Sequence, residues 1–321
     1  MSRARGRQRG AALLLAMLIL TLVATLAAGM AWQQTRAVQI EAAERASVQA
    51  QWILDASLDW ARLILREDGR TGSIDHLGEP WATPLAEARL SSFLAADRDN
   101  TDSGGPEAFI SGAISDAQAK YNLRNLIDSN GKISQVELKA LQRLCEAAGV
   151  PTDTPARLAQ GLALAWAGES GDERSDVPLA PKRVADLAWL GLDPATVARL
   201  APFVTLLPTS TPVNANTAPR EVLIAAIDGL DLGSAERLVQ TRQRSPFDSL
   251  EAVKALLPQG VVAPVASRLS VSSSYFEVHG RLRLEERIVE EESLVERRGA
   301  DKGRDVVTLR RERHPLYVPQ Q

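Results

Sequence analysis

Carboxylates are the residues of this chain whose spacing comes nearest to a ligating site. Three stretches carry them: Asp97, Asp99 and Asp102; Leu126–Glu137; and Glu169, Asp172, Glu173 and Asp176. Clustered oxygens of this kind suit a hard cation such as calcium. With Asp128 as the third position of an EF-hand loop, Asn130, Gly131, Ile133 and Glu137 fall at the fifth, sixth, eighth and twelfth. The first position would then be Leu126, which has no ligand atom. A turn at Ser129-Asn130-Gly131, with Ser134 as N-cap and Glu137 completing a Ser-x-x-Glu capping box, explains the same residues without a metal. The other two stretches read equally as solvated acidic loops.

Nucleophilic and acid–base chemistry have less to work with. His76, His279 and His314 lie far apart in unlike contexts. The sequence contains no Gly-x-Ser-x-Gly elbow, phosphate loop, dinucleotide fingerprint or His-Glu-x-x-His. Cys145 is the single cysteine, so no disulfide can form within the chain. Its setting, LQRLCEAAG, reads as the apolar face of a helix and favours a buried structural thiol over a reactive one. The sequence therefore reads as that of a non-enzyme.

The element that must position everything else lies at the N-terminus. Arg3, Arg5, Arg7 and Arg9 precede Gly10, and an uncharged apolar run follows from Ala11 to Ala31. At 1.5 Å rise per residue, about 21 residues just cross a hydrocarbon core of roughly 30 Å. The arginines favour a cytoplasmic N-terminus with the bulk of the chain across the membrane. A secretory signal is cut behind its apolar stretch, and Ala27-Ala28-Gly29 offers such a site. Here, however, a small residue also stands ahead of the run, and Trp32–Arg66 continues in helical residues without a turn. One helix of about 55 residues is predicted.

A short basic leader, a glycine and a long half-apolar helix resemble the type IV pilin family. The resemblance implies cleavage after Gly10 by a prepilin peptidase, with Ala11 as a new, N-methylated terminus and the apolar helix retained. Most pilins and pseudopilins carry glutamate at the fifth mature position, where this chain has Leu15. That departure is similar to the K-type minor pseudopilins of bacterial type II secretion, which typically lack the glutamate.

The remaining chain reads in three pieces. Residues 69–112 are broken by GRTGS, GEP and DNTDSGGP around a short predicted helix at 85–95. Residues 113–270 read as mostly helical. Residues 271–313 alternate as strands, with Phe276, Val278, Leu282 and Leu284 and then Ile288, Leu294 and Val295 on one buried face, and a hairpin turn at Asp301–Gly303.

Two phrases within the helical piece are specific. In ISDAQAKYNLRNL, Asp116, Tyr121, Asn122 and Asn125 resemble the entry to the inserted domain of the K-type family, with asparagines that hold irregular turns. In VNANTAPREVL, Asn214, Asn216 and Pro219 resemble the family segment that opens a helix-turn-helix repeat. Thr217 is read there as the N-cap with Pro219 in the first turn, and Ser234 as the start of the next helix.

The second segment also looks like a helix-hairpin-helix module, which elsewhere binds DNA phosphates. From Asn214 to Ser270, however, six basic residues face six acidic ones, and Asp228 and Asp231 sit in the hairpin turn. A phosphate-binding face has a basic excess. Family members often carry a calcium loop after Asp-Trp-x-Asp-x-Asp. Here Trp166 is kept but Ala165 stands where the first aspartate would be.

Composition fits a folded protein on a membrane stalk: 45% hydrophobic, 24% charged and a net charge of −3. Beyond residue 70 the chain is long enough for two modest cores. The expected fold class is α+β: a pseudopilin fold, with the long N-terminal helix on a small antiparallel sheet, and a large inserted all-α domain with helix-hairpin-helix-like repeats. The expected boundaries are leader 1–10, membrane span 11–32, helix continuation 33–68, core 69–124, insert 125–270 and C-terminal sheet 271–321. The resemblance implies an inner-membrane protein that moves to a pseudopilus tip. Its partners would be the I- and J-type minor pseudopilins, the major pseudopilin, prepilin peptidase and the inner-membrane assembly platform. No cofactor is required, calcium being open at the acidic stretches, and no nucleic acid is expected. The alternatives are a minor pilin of a type IV pilus or DNA-uptake system, and a membrane-tethered helix-hairpin-helix DNA-binding protein.

Overall fold

The structure, a computed structural model, describes residues 9–90, 108–169, 178–261, 267–284, 287–299 and 305–317. Two compact units divide between Asp55 and Ala56. The first unit is helical. Helix α1 (Arg9–Thr71) is 63 residues long, longer than the 55 or so expected. Every side chain from Ala11 to Ala31 is exposed, including Leu14, Leu18 and Leu22. An apolar helix with no covered face is suited to lipid as its solvent. Thr21 and Thr25 do not spoil it, because each hydroxyl donates to a carbonyl three residues back, Leu18 O and Leu22 O, both at 2.9 Å. Past the run, the Arg36 guanidinium lies 5.6 Å from the Trp32 ring centroid, a pairing that belongs at a membrane–water boundary.

The second unit is built on a five-stranded antiparallel sheet in the order β1 (Leu85–Arg89), β2 (Ala108–Asp116), β7 (Tyr275–Leu284), β8 (Arg287–Arg298) and β9 (Asp305–Tyr317). Leu58, Ala61 and Leu65 fall on one stripe of α1 and pack with Phe276, Val278, Val295 and Val306. Trp81 meets Phe276 edge to face, with ring centroids 5.3 Å apart. Of the segment expected to be helical at 85–95, Leu85–Arg89 is a strand, Leu90 is already helical, and 91–95 lie outside the described residues. Leu85–Arg89 is helix-prone by composition, yet it pairs with the edge of β2 as a strand, and Arg89 lies over the Phe109 ring. The single buried sheet face also needs correction. Tyr275 and Leu294 are buried with Ala117 and Leu207 on the face opposite Phe276 and Val295, so this end of the sheet is covered on both sides. Strands β8 and β9 pair antiparallel, while the expected turn at 301–303 lies outside the described residues.

Between β2 and β7 the chain leaves the sheet and returns to it. Asp116 and Phe276 are direct cross-strand partners, so exit and re-entry lie side by side. Strand β2 reaches Asp116, four residues into the stretch expected to be mostly helical, because its side chains find sheet partners. The excursion contains α2 (Gln135–Ala148), α3 (Thr154–Glu169), α4 (Pro194–Leu200), α5 (Arg220–Ala226), α6 (Leu232–Arg244) and α7 (Leu250–Lys254). Two short parallel pairs tie it together: β3 (Tyr121–Asn122) with β4 (Val204–Thr205), and β5 (Val213–Asn214) with β6 (Leu269–Ser270). Its core includes Leu141, Leu144, Leu158, Leu162 and Leu223. Cys145 belongs to this core at 2% exposure; burial, and then the charge of Glu146, push its thiol up to about 12.

Candidate functional site

Two places concentrate the residues singled out by the sequence. The first is the N-terminal end of the described chain, where Gly10 and Ala11 are both part of α1. Leu15, the fifth residue counted from Ala11, is exposed.

The second is a buried polar junction where the insert meets the sheet. It is built around Asp116, the last residue of β2. One carboxylate oxygen, Oδ2, accepts from Ser273 Oγ at 2.6 Å, Thr217 Oγ1 at 2.6 Å and Asn214 Nδ2 at 2.9 Å. The other accepts from the Gln118 amide at 2.7 Å. Asn214 Nδ2 is also within 3.0 Å of Asp75 O and Ser273 Oγ. Among the described residues no cation pairs with Asp116. Burial therefore raises its carboxyl to about 6, against the lowering effect of the Ser273 and Thr217 hydroxyls.

A charged layer lies alongside. Arg297, on β8, donates to Asp75 Oδ1 at 2.5 Å, Asp68 Oδ2 at 2.8 Å and Ser273 O at 2.8 Å, with its guanidinium 5.0 Å from the Phe276 ring centroid. Asp75 Oδ2 accepts from the Ser273 amide at 2.7 Å. Asp68, Asp75 and Glu79 bring carboxylate oxygens within 4.8 Å of one another. Asp68 is raised to about 6, first by burial and then by Glu79 and Asp75, with Arg297 opposing. α1, β2, β7, β8 and both ends of the insert thus share one network.

The remaining asparagines act as local clamps. Asn125 pairs both ways with Thr211: Nδ2 donates to its carbonyl at 2.9 Å and Oδ1 accepts from its amide at 3.0 Å. Asn216 does the same with Phe247, at 3.0 and 2.8 Å. Asn122 Oδ1 accepts from the Arg124 and Leu207 amides, while Nδ2 donates to Thr209 O and Thr211 Oγ1. A side-chain amide that satisfies a distant backbone pair mimics a sheet rung where no strand can form. Asn122, Asn125 and Thr211 form one group; Asn214 belongs to the Asp116 group, with Asn216 two residues on.

Several local readings change. Thr217 is not the N-cap of α5; its hydroxyl is taken by Asp116, and Pro219 occupies the cap without a side-chain bond. Helix α6 begins at Leu232, with Asp231 capping it through the Ser234 amide at 2.9 Å. Ser134 caps α2, but Glu137 does not close the box. Its carboxylate lies 2.9 Å from Tyr121 Oη and 2.9 Å from Arg268 Nε. Leu126 is in the core and Asp128 accepts from the Asn130 and Lys132 amides, so this loop does not present an EF-hand ligand set. Asp97, Asp99, Asp102, Asp172, Glu173 and Asp176 lie outside the described residues, as does the side chain of Glu169.

Comparison with known proteins bears on both places. A family model for type II secretion system protein K matches residues 213–272, and a second model for the same protein matches residues 119–209. The type II secretion system protein K of Pseudomonas aeruginosa is 30% identical over 302 residues, covering 87% of this chain and 86% of the relative. The chain belongs to the type II secretion system protein K family. As a member it is a minor pseudopilin of type II secretion. Its fold is also similar to a chain in the crystal structure of the GspK–GspI–GspJ complex from the type 2 secretion system of enterotoxigenic Escherichia coli. The TM-score is 0.61 at 20% identity, covering 85% of this chain and 98% of that one. The protein K models cover the four asparagines and Pro219, but not Asp75, Asp116 or Arg297. Sequence reading passed over Asp68, Asp75, Thr211, Ser273 and Arg297. Asp75 and Arg297 are 222 residues apart, and no local pattern marks such a pair.

Proposed function

We propose that this minor pseudopilin works at the pseudopilus tip, where it initiates and then caps the fibre that drives folded cargo across the outer membrane. The supporting observation is the way the insert is fixed. It leaves and re-enters the sheet on adjacent strands, and Asp116 binds its first turn, its middle and its return segment. A domain held that firmly to the sheet, on a subunit with Leu15 in place of the usual glutamate, would end the stacking of subunits rather than continue it.

In this reading prepilin peptidase cuts after Gly10 at the cytoplasmic face, Ala11 is methylated, and the apolar helix stays in the inner membrane with the bulk of the chain in the periplasm. On assembly that helix exchanges lipid for neighbouring helices. The tip partners are I- and J-type minor pseudopilins, a choice supported by the solved complex of GspK with GspI and GspJ. The major pseudopilin and the assembly platform complete the set. Helices α5 and α6, joined by a turn with Gly229 at φ 80, are read as a helix-hairpin-helix-like repeat in a structural role. Its charges support this over DNA binding: Arg220 pairs with Glu221 and Glu236, Lys254 with Glu251, Arg268 with Glu137, and Arg242 is buried on Ala215 O. Calcium is not required by this mechanism; metal analysis of the purified protein tests the acidic stretches at 97–102 and 169–176.

The test replaces Ala117–Ser274 with a short hairpin turn, which the Asp116–Phe276 pairing permits. The shortened chain is expected to insert in the membrane but to lose control of pseudopilus length and cargo secretion. Unchanged fibre length and secretion would sink the capping role.

A further inference from the structure

A groove of about 310 Å³ opens where the insert meets the sheet face opposite Leu58, Ala61 and Leu65. Its apolar surface comes from Trp166 near the end of α3, Leu207 from the insert and Leu294 from β8. Three cations line it, Arg124, Lys182 and Arg310, and among the described residues no carboxylate does. The three are not equivalent. Arg310 is already compensated, with Nε 3.2 Å from Glu312 Oε1 and Nη1 donating to the Lys182 carbonyl at 2.5 Å. The Arg124 guanidinium lies 4.3 Å from the Trp166 ring centroid, and no described carboxylate pairs with it or with the Lys182 ammonium. Arg124 takes part in none of the Asn122 and Asn125 clamps except through its backbone amide.

An arginine stacked on an indole keeps its edge N–H groups free to fork onto a carboxylate. A second cation on the rim and an apolar floor beside it make a site for two adjacent groups, one anionic and one large and apolar. Two charges with no partner among the described residues are too few to track a phosphate backbone. We propose that this groove docks an acidic peptide segment of a partner protein. One large apolar side chain of that segment lies on Trp166, Leu207 and Leu294, and a neighbouring carboxylate pairs with Arg124 and Lys182. The proposal does not depend on the tip position.

The experiment uses the full chain in detergent micelles and a fluorescein-labelled heptapeptide, Gly-Asp-Leu-Trp-Asp-Glu-Gly, read by anisotropy. The expected dissociation constant is about 10–500 μM, with at least roughly tenfold weaker binding when lysines replace the peptide's acids or alanines its Leu-Trp pair. Lys182→Glu and Arg124→Gln are each expected to weaken binding about tenfold, and raising salt to about 0.5 M to weaken it further. Lys182 is exposed, so its variant tests the site without disturbing the core. Equal binding of the acidic and lysine peptides, native affinity in Lys182→Glu, or no binding below about 5 mM overturns the proposal. So does binding that emerges only after Asp172, Glu173 and Asp176 are neutralised, since the groove's occupant would then be this chain's own acidic stretch.

Discussion

Asp116 is the residue on which the attachment of the insert turns. Replacing it with alanine leaves Ser273, Thr217 and Asn214 with donors that have lost their acceptor, a loss of about 3–5 kcal/mol in a buried site. Asparagine keeps the shape and one acceptor, so Asp116→Asn is expected to cost only about 1–2 kcal/mol near neutral pH. The pH dependence separates the two roles of the carboxylate. Its folded value of about 6 lies above the unfolded value near 3.8. The folded state therefore holds the proton more tightly, and the stability this gives is complete below about pH 3.8 and lost as pH rises through about 6. Asp68 shifts in the same direction and adds to the slope. Denaturant midpoints of the native protein should fall from pH 4 to pH 7 by an amount worth about 1–3 kcal/mol, and fall less in Asp116→Asn. An identical slope in the variant would remove Asp116 from the linkage. The sequence announced Asp116 only as the acidic residue of a familiar phrase. That it receives Thr217 rather than leaving that hydroxyl to cap α5 depends on a contact 101 residues away.

At the scale of elements, the β2–β7 rung carries the exit and return of the insert, and its tightest point is Gly112. A Cβ there would lie 2.8 Å from His279 O, a backbone atom that cannot swing aside. Gly112 faces Gly280 across the pair, so the two strands approach where neither has a side chain. Gly112→Ala is expected to destabilise the second unit by about 1–3 kcal/mol and to do so more than the same change at Gly29, where nothing lies within 4 Å. Thermal unfolding of both variants checks this; equal midpoints would mean the strands part easily at this rung. Elements of long period were legible in the sequence. The apolar run and its helical continuation predicted α1, and the alternation at Phe276, Val278 and Leu282 predicted β7. Elements set by their neighbours were not. Leu85–Arg89 has helix-forming composition and becomes a strand because β2 offers an edge. Leu294 and Val295 are both buried because the insert covers the face that alternation assigns to water. The partners of Asn125 and Asn216, Thr211 and Phe247, were not legible, since no spacing rule links a side-chain amide to a backbone pair 31 or 86 residues on.

For the whole molecule, the decisive question is which peptide bond at the N-terminus is cut. Ala27-Ala28-Gly29 lies deep inside α1, with intact helix on both sides. A peptidase needs the chain extended, and opening the middle of a long helix breaks several backbone hydrogen bonds at once. At Gly10 a glycine lowers the cost of leaving the helix, and the basic leader on its N-terminal side holds that bond at the membrane boundary instead of within the apolar run. Cleavage there removes Arg3, Arg5, Arg7 and Arg9 and leaves the apolar run as the anchor. The mass of the protein recovered from membranes is therefore expected to correspond to a chain starting at Ala11, plus one methyl group. In cells lacking prepilin peptidase, residues 1–10 should remain. Gly10→Val is expected to block processing while leaving membrane insertion intact, because the span itself is unchanged. An intact leader in the presence of the peptidase, or a new terminus near Met30, would make α1 a plain anchor or a discarded signal. The exposed apolar helix would then have no route from the bilayer into a fibre, and assembly at a tip would have to proceed through the second unit alone.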